Sequence, residues 1–130
     1  VRRTTAQRVA QCEGWLRQNF KPPRGYVVRV RWYPKLVDKE RNERGEREEL
    51  QGRHYSWERK HEIQLSRRLN RRVDDALETL LHEWAHVLVA RVSRDVEDVE
   101  HPDEYWLAYG RIYREWFDCG GWDESHAIEV

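Results

Sequence analysis

Val73-Asp74-Asp75-Ala76-Leu77-Glu78-Thr79-Leu80-Leu81-His82-Glu83-Trp84-Ala85-His86-Val87-Leu88-Val89-Ala90-Arg91-Val92 is the stretch on which the reading of this chain turns. Leu77, Leu80, Leu81, Trp84, Leu88 and Val92 recur at helical spacing, which predicts a long helix with one apolar stripe. Asp74 and Asp75 suit the positive N-terminal end of that helix. Inside it lies His82-Glu83-Trp84-Ala85-His86, an H-E-x-x-H motif. Residues four apart on a helix share a face, so both imidazoles can reach one ion. Glu83 flanks such an ion without binding it and can take a proton from a water there. Two helix histidines can equally be ordinary polar residues. Three features favour the metal. The helix pattern is strong, the histidines lie beside the apolar stripe, and a further histidine follows. A catalytic zinc keeps three protein ligands and leaves one position for water. His101 is the natural third ligand, after an acidic linker that lets the chain fold back. His54, His61 and His126 are the remaining histidines.

Working outward, residues 4–20 read as a helix capped by Thr4 or Thr5, with Val9, Cys12, Trp15 or Leu16, and Phe20 at helical spacing. Residues 26–33 alternate, which predicts a half-buried strand with Arg29 and Arg31 on its polar side. Residues 38–52 are almost wholly polar and read as a mobile charged loop. Residues 53–66 suit a hairpin turning near Arg59-Lys60. A last helix is expected after Pro102, with Tyr105, Leu107 or Ala108, Ile112, Trp116 and Phe117 facing inward and Gly120-Gly121 stopping it. The pattern is α+β, within a single domain over residues 1–130.

Apolar residues make up 38% of the chain and charged residues 37%, so the surface must be heavily charged. Seven tryptophans and six tyrosines offset the shortage of aliphatic residues, since each ring buries a large area. No apolar run approaches a membrane span, so no membrane partner is expected. The start lacks an apolar signal core, and two cysteines without C-x-x-C spacing suit a reduced, cytoplasmic protein. The net charge is zero but polarised. Residues 1–72 hold 20 basic and 9 acidic side chains, and residues 73–130 hold 4 and 15. The two halves are expected to pair with each other. The alternative is a basic face for nucleic acid, carried by Arg29, Arg31, Arg67, Arg68, Arg71 and Arg72.

The segment Leu80-Leu81-His82-Glu83-Trp84-Ala85-His86 resembles the active helix of SprT-like metallopeptidases, the family that includes Spartan. That family carries a third histidine in an H-G-x-E-F-like segment. His101-Pro102-Asp103-Glu104-Tyr105 is similar to it: His101 matches the ligand, Glu104 the acidic position and Tyr105 the aromatic one, while Pro102 stands where glycine is usual. Glu62-Ile63-Gln64-Leu65-Ser66 is similar to the strand that precedes the active helix. The resemblance spans roughly residues 60–118 and lacks the zinc-ribbon tail of many members. It implies a zincin-like minimal domain with a small, mostly antiparallel sheet packed on the active helix. It implies one zinc ion on His82, His86 and His101, with Glu83 as catalytic base and a protein or peptide as substrate. Residues 60–66 would form the sheet edge that takes an extended peptide, and Tyr105, Tyr109 or Arg111 would supply a donor to the oxyanion. It also leaves contact with nucleic acid open to the basic N-terminal half. Two other functions fit the same residues: a zinc hydrolase of another bond, and a non-enzymatic interaction domain with a structural metal site.

Overall fold

The computed structural model of the chain describes residues 3–93 and 103–123, without the side chains of 90–93. Three helices and two small sheets follow in the order α1 (Thr5–Asn19), β1 (Val27–Tyr33), β2 (Leu36–Val37), β3 (Glu49–Leu50), β4 (Gly52–Trp57), β5 (Lys60–Ser66), α2 (Val73–Ser93) and α3 (Asp103–Asp118). The architecture is α+β.

Helix α1 starts where the sequence predicts. Thr4 accepts from the Gln7 backbone N–H, and the Gln7 side chain accepts from the Thr4 N–H, a reciprocal cap that satisfies two otherwise orphaned donors. Val9, Cys12, Trp15, Leu16 and Phe20 are all buried against α2 and the sheet. Helix α3 ends in a Schellman turn. Gly120 takes φ +79°, its N–H donates to the Phe117 carbonyl and that of Gly121 to the Trp116 carbonyl. Tyr105, Ile112 and Trp116 are fully buried. Of the alternatives Leu107 and Ala108 it is Ala108 that packs against the core, while Leu107 is 75% exposed; Phe117, expected inside, is 66% exposed, because it falls off the buried stripe along 105, 112 and 116. Cys12 and Cys119 are both free thiols.

The main sheet has the order β1-β5-β4, with β1 parallel to β5 and β4 antiparallel to it. It is therefore mixed, not mostly antiparallel. The reason is the long connection between β1 and β4, which skips β1's neighbour position and lets β5 enter between them. The hairpin β4–β5 turns at Glu58-Arg59, where Glu58 takes φ 53°. Residues 60–66 consequently form the central strand, paired on both sides, and not a sheet edge. The edge is β4.

The charged stretch 38–52, expected to be a loop, contains structure. β2 and β3 pair antiparallel, the Asp38 N–H donates to the Glu48 carbonyl, and the Asn42 side chain accepts from the N–H groups of Arg44 and Glu46. Polar composition here closes a hairpin arm through local side-chain bonds.

Helix α2 is the hub of the core. It packs on β4 and β5 and against both α1 and α3. Leu77, Leu80, Leu81 and Trp84 are completely buried, and the Trp84 indole N–H donates to the Phe20 carbonyl at 2.9 Å. Packing on several sides leaves one polar face of α2 looking into a cleft. No helix among the described residues is long and apolar enough to cross a membrane.

Candidate metal centre

Helix geometry sets the first part of the site. His82 and His86 sit one turn apart on α2, both half-buried, with ring centroids 5.5 Å apart and planes at 73°. Glu83 points from the same helix into an open cleft of about 320 Å³, also lined by Gln51, Gly52, Asp75, Glu78, Thr79, His82 and Tyr109. Only 6% of Glu83 is exposed. Burial pushes its carboxyl up to about 8.

Strand β4 closes one wall at very short range. A Cβ at Gly52 would lie 2.5 Å from Thr79 Cγ2, 3.2 Å from the Gln64 carbonyl and 3.5 Å from Glu83 Cγ. Only glycine lets the strand cross the helix here. The approach is fixed by buried Asn70. Its amide donates to the carbonyls of Gln51 and Ser66, both at 2.7 Å, and its oxygen accepts from the Thr79 hydroxyl at 2.9 Å. One side chain thus ties the start of β4, the end of β5 and the cleft face of α2.

Further along β4, His54 lies parallel to His86 with centroids 5.8 Å apart. His54 Nε2 and His61 Nδ1 share a hydrogen bond of 2.8 Å, and Tyr26 stacks on His61 at 5.1 Å. Burial, then the neighbouring His61, lowers the His54 imidazole to about 4; burial lowers His61 as well. Both shifts favour the neutral rings, and Nε2 of His54 is committed to His61. Among the described residues, no group of three His, Cys, Asp or Glu side chains is placed to hold a metal ion. His82 and His86 supply two imidazoles on one face. His101 and His126 lie outside the described residues, so the third ligand named from the sequence has no position here.

Three residues were named from the sequence as oxyanion donors. Tyr105 is buried against both helix histidines, 4.5 Å from the His86 ring and 5.3 Å from that of His82. Its hydroxyl donates to the His82 carbonyl at 3.0 Å, which locks α3 onto α2 and takes that proton out of the cleft. Arg111 bonds Glu115 and lies over the Phe20 ring, away from the site. Tyr109 remains, in the cleft wall and 5.7 Å from the His82 ring. Burial, with the charge of Glu78 next, raises its phenol to about 12, so it stays a donor across the working pH range. Asp103 and Glu104, in the first turn of α3, are both exposed.

Gln51, Gly52, Asp75, Glu78 and Thr79 were not anticipated in the site. A signal for the last three was present: positions 75, 78, 79, 82, 83 and 86 form one polar face of an otherwise apolar helix. Asp75 and Glu78 make the cleft acidic, with no lysine or arginine in its lining. It therefore favours cationic over anionic ligands. No family model matches the chain, and no curated protein or solved structure matches it either.

Among the described residues Arg31 pairs with Glu62, Lys35 and Arg68 with Glu49, Arg17 with Glu13, and Arg111 and Arg114 with residues of their own helix. Arg31 and Arg68, two of the six arginines considered for nucleic acid, are thereby engaged.

Proposed function

We propose that this chain is a zinc-dependent peptidase of the SprT-like kind, with His82, His86 and His101 as metal ligands and Glu83 as general base. The observation that carries the reading is Glu83. A carboxyl almost wholly removed from water, beside two imidazoles and open to a cleft, is costly to keep unless its chemistry is used. Its raised affinity for protons suits a group that takes a proton from water and returns it to a leaving amine. Zinc, when bound, would supply Lewis acidity toward the attacking water and the scissile carbonyl. The donor set fits zinc in type, since imidazole nitrogens are its common ligands.

Two further features support a peptide substrate. β4 is an edge strand, and no described strand pairs with its outer side. An extended chain can add there by backbone hydrogen bonds, within reach of Gly52 and Glu83 at one end. Tyr109 is the cleft residue suited to donate to the oxyanion that develops on the carbonyl.

The test measures zinc content and hydrolysis of an unfolded protein on the same samples of wild type and Glu83→Gln. The variant should keep its zinc while turnover falls by about 10²–10⁴-fold, the usual worth of general-base assistance. Full turnover in the zinc-loaded variant rejects Glu83 as the base. Loss of zinc with activity makes it a ligand or support instead.

A further inference from the structure

The N-terminal end of α2 carries a second concentration of function-bearing side chains. Nine residues separate Val73 from His82, so it lies about 13 Å along the helix from the candidate metal centre. Arg3, Arg8, Arg71, Arg72, Asp74 and Trp122 are among the residues lining a cavity of about 520 Å³ there. Four are arginines and one is a carboxylate.

Arg8 is the unusual member. It is 1% exposed although it belongs to α1, a surface helix. Its Nη2 donates to the Gly121 carbonyl at 2.8 Å and its Nη1 approaches Gln11 Oε1 at 3.4 Å, while its buried Nε–H has no acceptor. Among the described residues no carboxylate pairs with it. A guanidinium removed from water without a counter-charge is strongly disfavoured. The neighbouring backbone adds to the same field. Arg72 holds the N-cap position of α2, its carbonyl accepting the first helical bond from Ala76. An arginine side chain has no acceptor to offer the first-turn N–H groups. These donors stand at the positive end of a 21-residue helix. The Thr5 hydroxyl bonds the Arg71 carbonyl at 3.2 Å and holds α1 to this corner.

The geometry points to an oxyanion site here that takes a phosphate group, with Arg8 at its base and Arg3, Arg71, Arg72 and the α2 terminus around it. Guanidinium forks match tetrahedral oxyanions bidentately, and several converging forks select phosphate over chloride. The same chemistry is offered by a free phosphate, a phosphomonoester or a phosphodiester backbone. The site is independent of the candidate metal centre and stands or falls without it.

The experiment titrates the full chain with inorganic phosphate by calorimetry, against chloride at matched ionic strength, for wild type, Arg8→Met and Arg72→Gln. One phosphate should bind per chain. Arg8→Met should weaken it about tenfold or more, as expected for loss of a charge-assisted hydrogen bond. Arg72→Gln, at an exposed position, should weaken it about three- to tenfold while leaving the fold intact, so the test survives if Arg8→Met does not fold. Displacement of phosphate by a short oligothymidylate identifies a phosphodiester as the source, and failure to displace identifies a free phosphate or monoester. Phosphate heats equal to those of chloride overturn the assignment, as does unchanged phosphate binding in Arg72→Gln together with any folded Arg8→Met.

Discussion

Glu83→Gln should stabilise the metal-free protein, by an amount that grows with pH. Glu83 is 6% exposed, and burial raises its carboxyl from an ordinary 4.5 to about 8. Between those values the folded protein holds a proton that the unfolded chain has released. Its contribution is therefore most favourable below pH 4.5 and is lost as pH rises through 8. One pKa unit corresponds to about 1.36 kcal/mol. At pH 7 the carboxyl then costs the fold up to about 3 kcal/mol, and at pH 5 less than about 1 kcal/mol. The amide has the same shape and no charge, so it carries none of this. Urea unfolding of both proteins with a chelator, at pH 5 and pH 7, measures the difference. The gain should be small at pH 5 and about 2 kcal/mol larger at pH 7, with unchanged m-values. Zinc should narrow the gap, since a nearby cation favours the carboxylate. A gain equal at both pH values, or a loss of stability at pH 7, refutes the argument that Glu83 is a desolvated carboxyl.

His101→Ala should weaken zinc binding far more than His54→Ala, His61→Ala or His126→Ala, measured by competition with a chromogenic chelator; His54 is engaged by His61, so an equal loss from His54→Ala would mean that the pair opens to bind the metal. Gly52→Ala puts a Cβ 2.5 Å from Thr79 Cγ2 and should cost about 1–3 kcal/mol in denaturant unfolding, because strand and helix must separate. Tyr109→Phe should lower kcat about 10²–10³-fold with zinc content unchanged if its hydroxyl serves the oxyanion, and an unaltered kcat removes it from that role.

The sequence displays the parts of this fold that depend on local pattern, and hides those that depend on chain routing. The Thr4 cap, the α2 stripe and the Gly120-Gly121 stop each rest on neighbouring residues, so spacing alone reveals them. The mixed sheet does not. Ile63 and Leu65 alternate like residues of an edge or a central strand, and only the path of residues 34–59 puts β5 in the middle. Likewise, a charged run such as 38–48 has the composition of a loop, yet Asn42 makes it a turn by bonding its own backbone. The site divides in the same way. His82, Glu83 and His86 are legible as one helix face, while Gly52 and Asn70 matter only through a tertiary approach.

Helix α2 gives the two candidate sites a common origin. Its core-facing side is apolar, which fixes it rigidly between the sheet, α1 and α3. What remains is one polar face and one free end, and the charge on each has opposite sign. The face carries Asp75 and Glu78 into a cleft suited to cations. The end, with Arg71, Arg72 and the buried Arg8, offers positive charge to an anion. Asp74 and Asp75 mark the boundary: Asp74 looks into the arginine cavity, Asp75 into the cleft. A ligand with separated charges would therefore meet fields of opposite sign on the face and at the end of one rigid element.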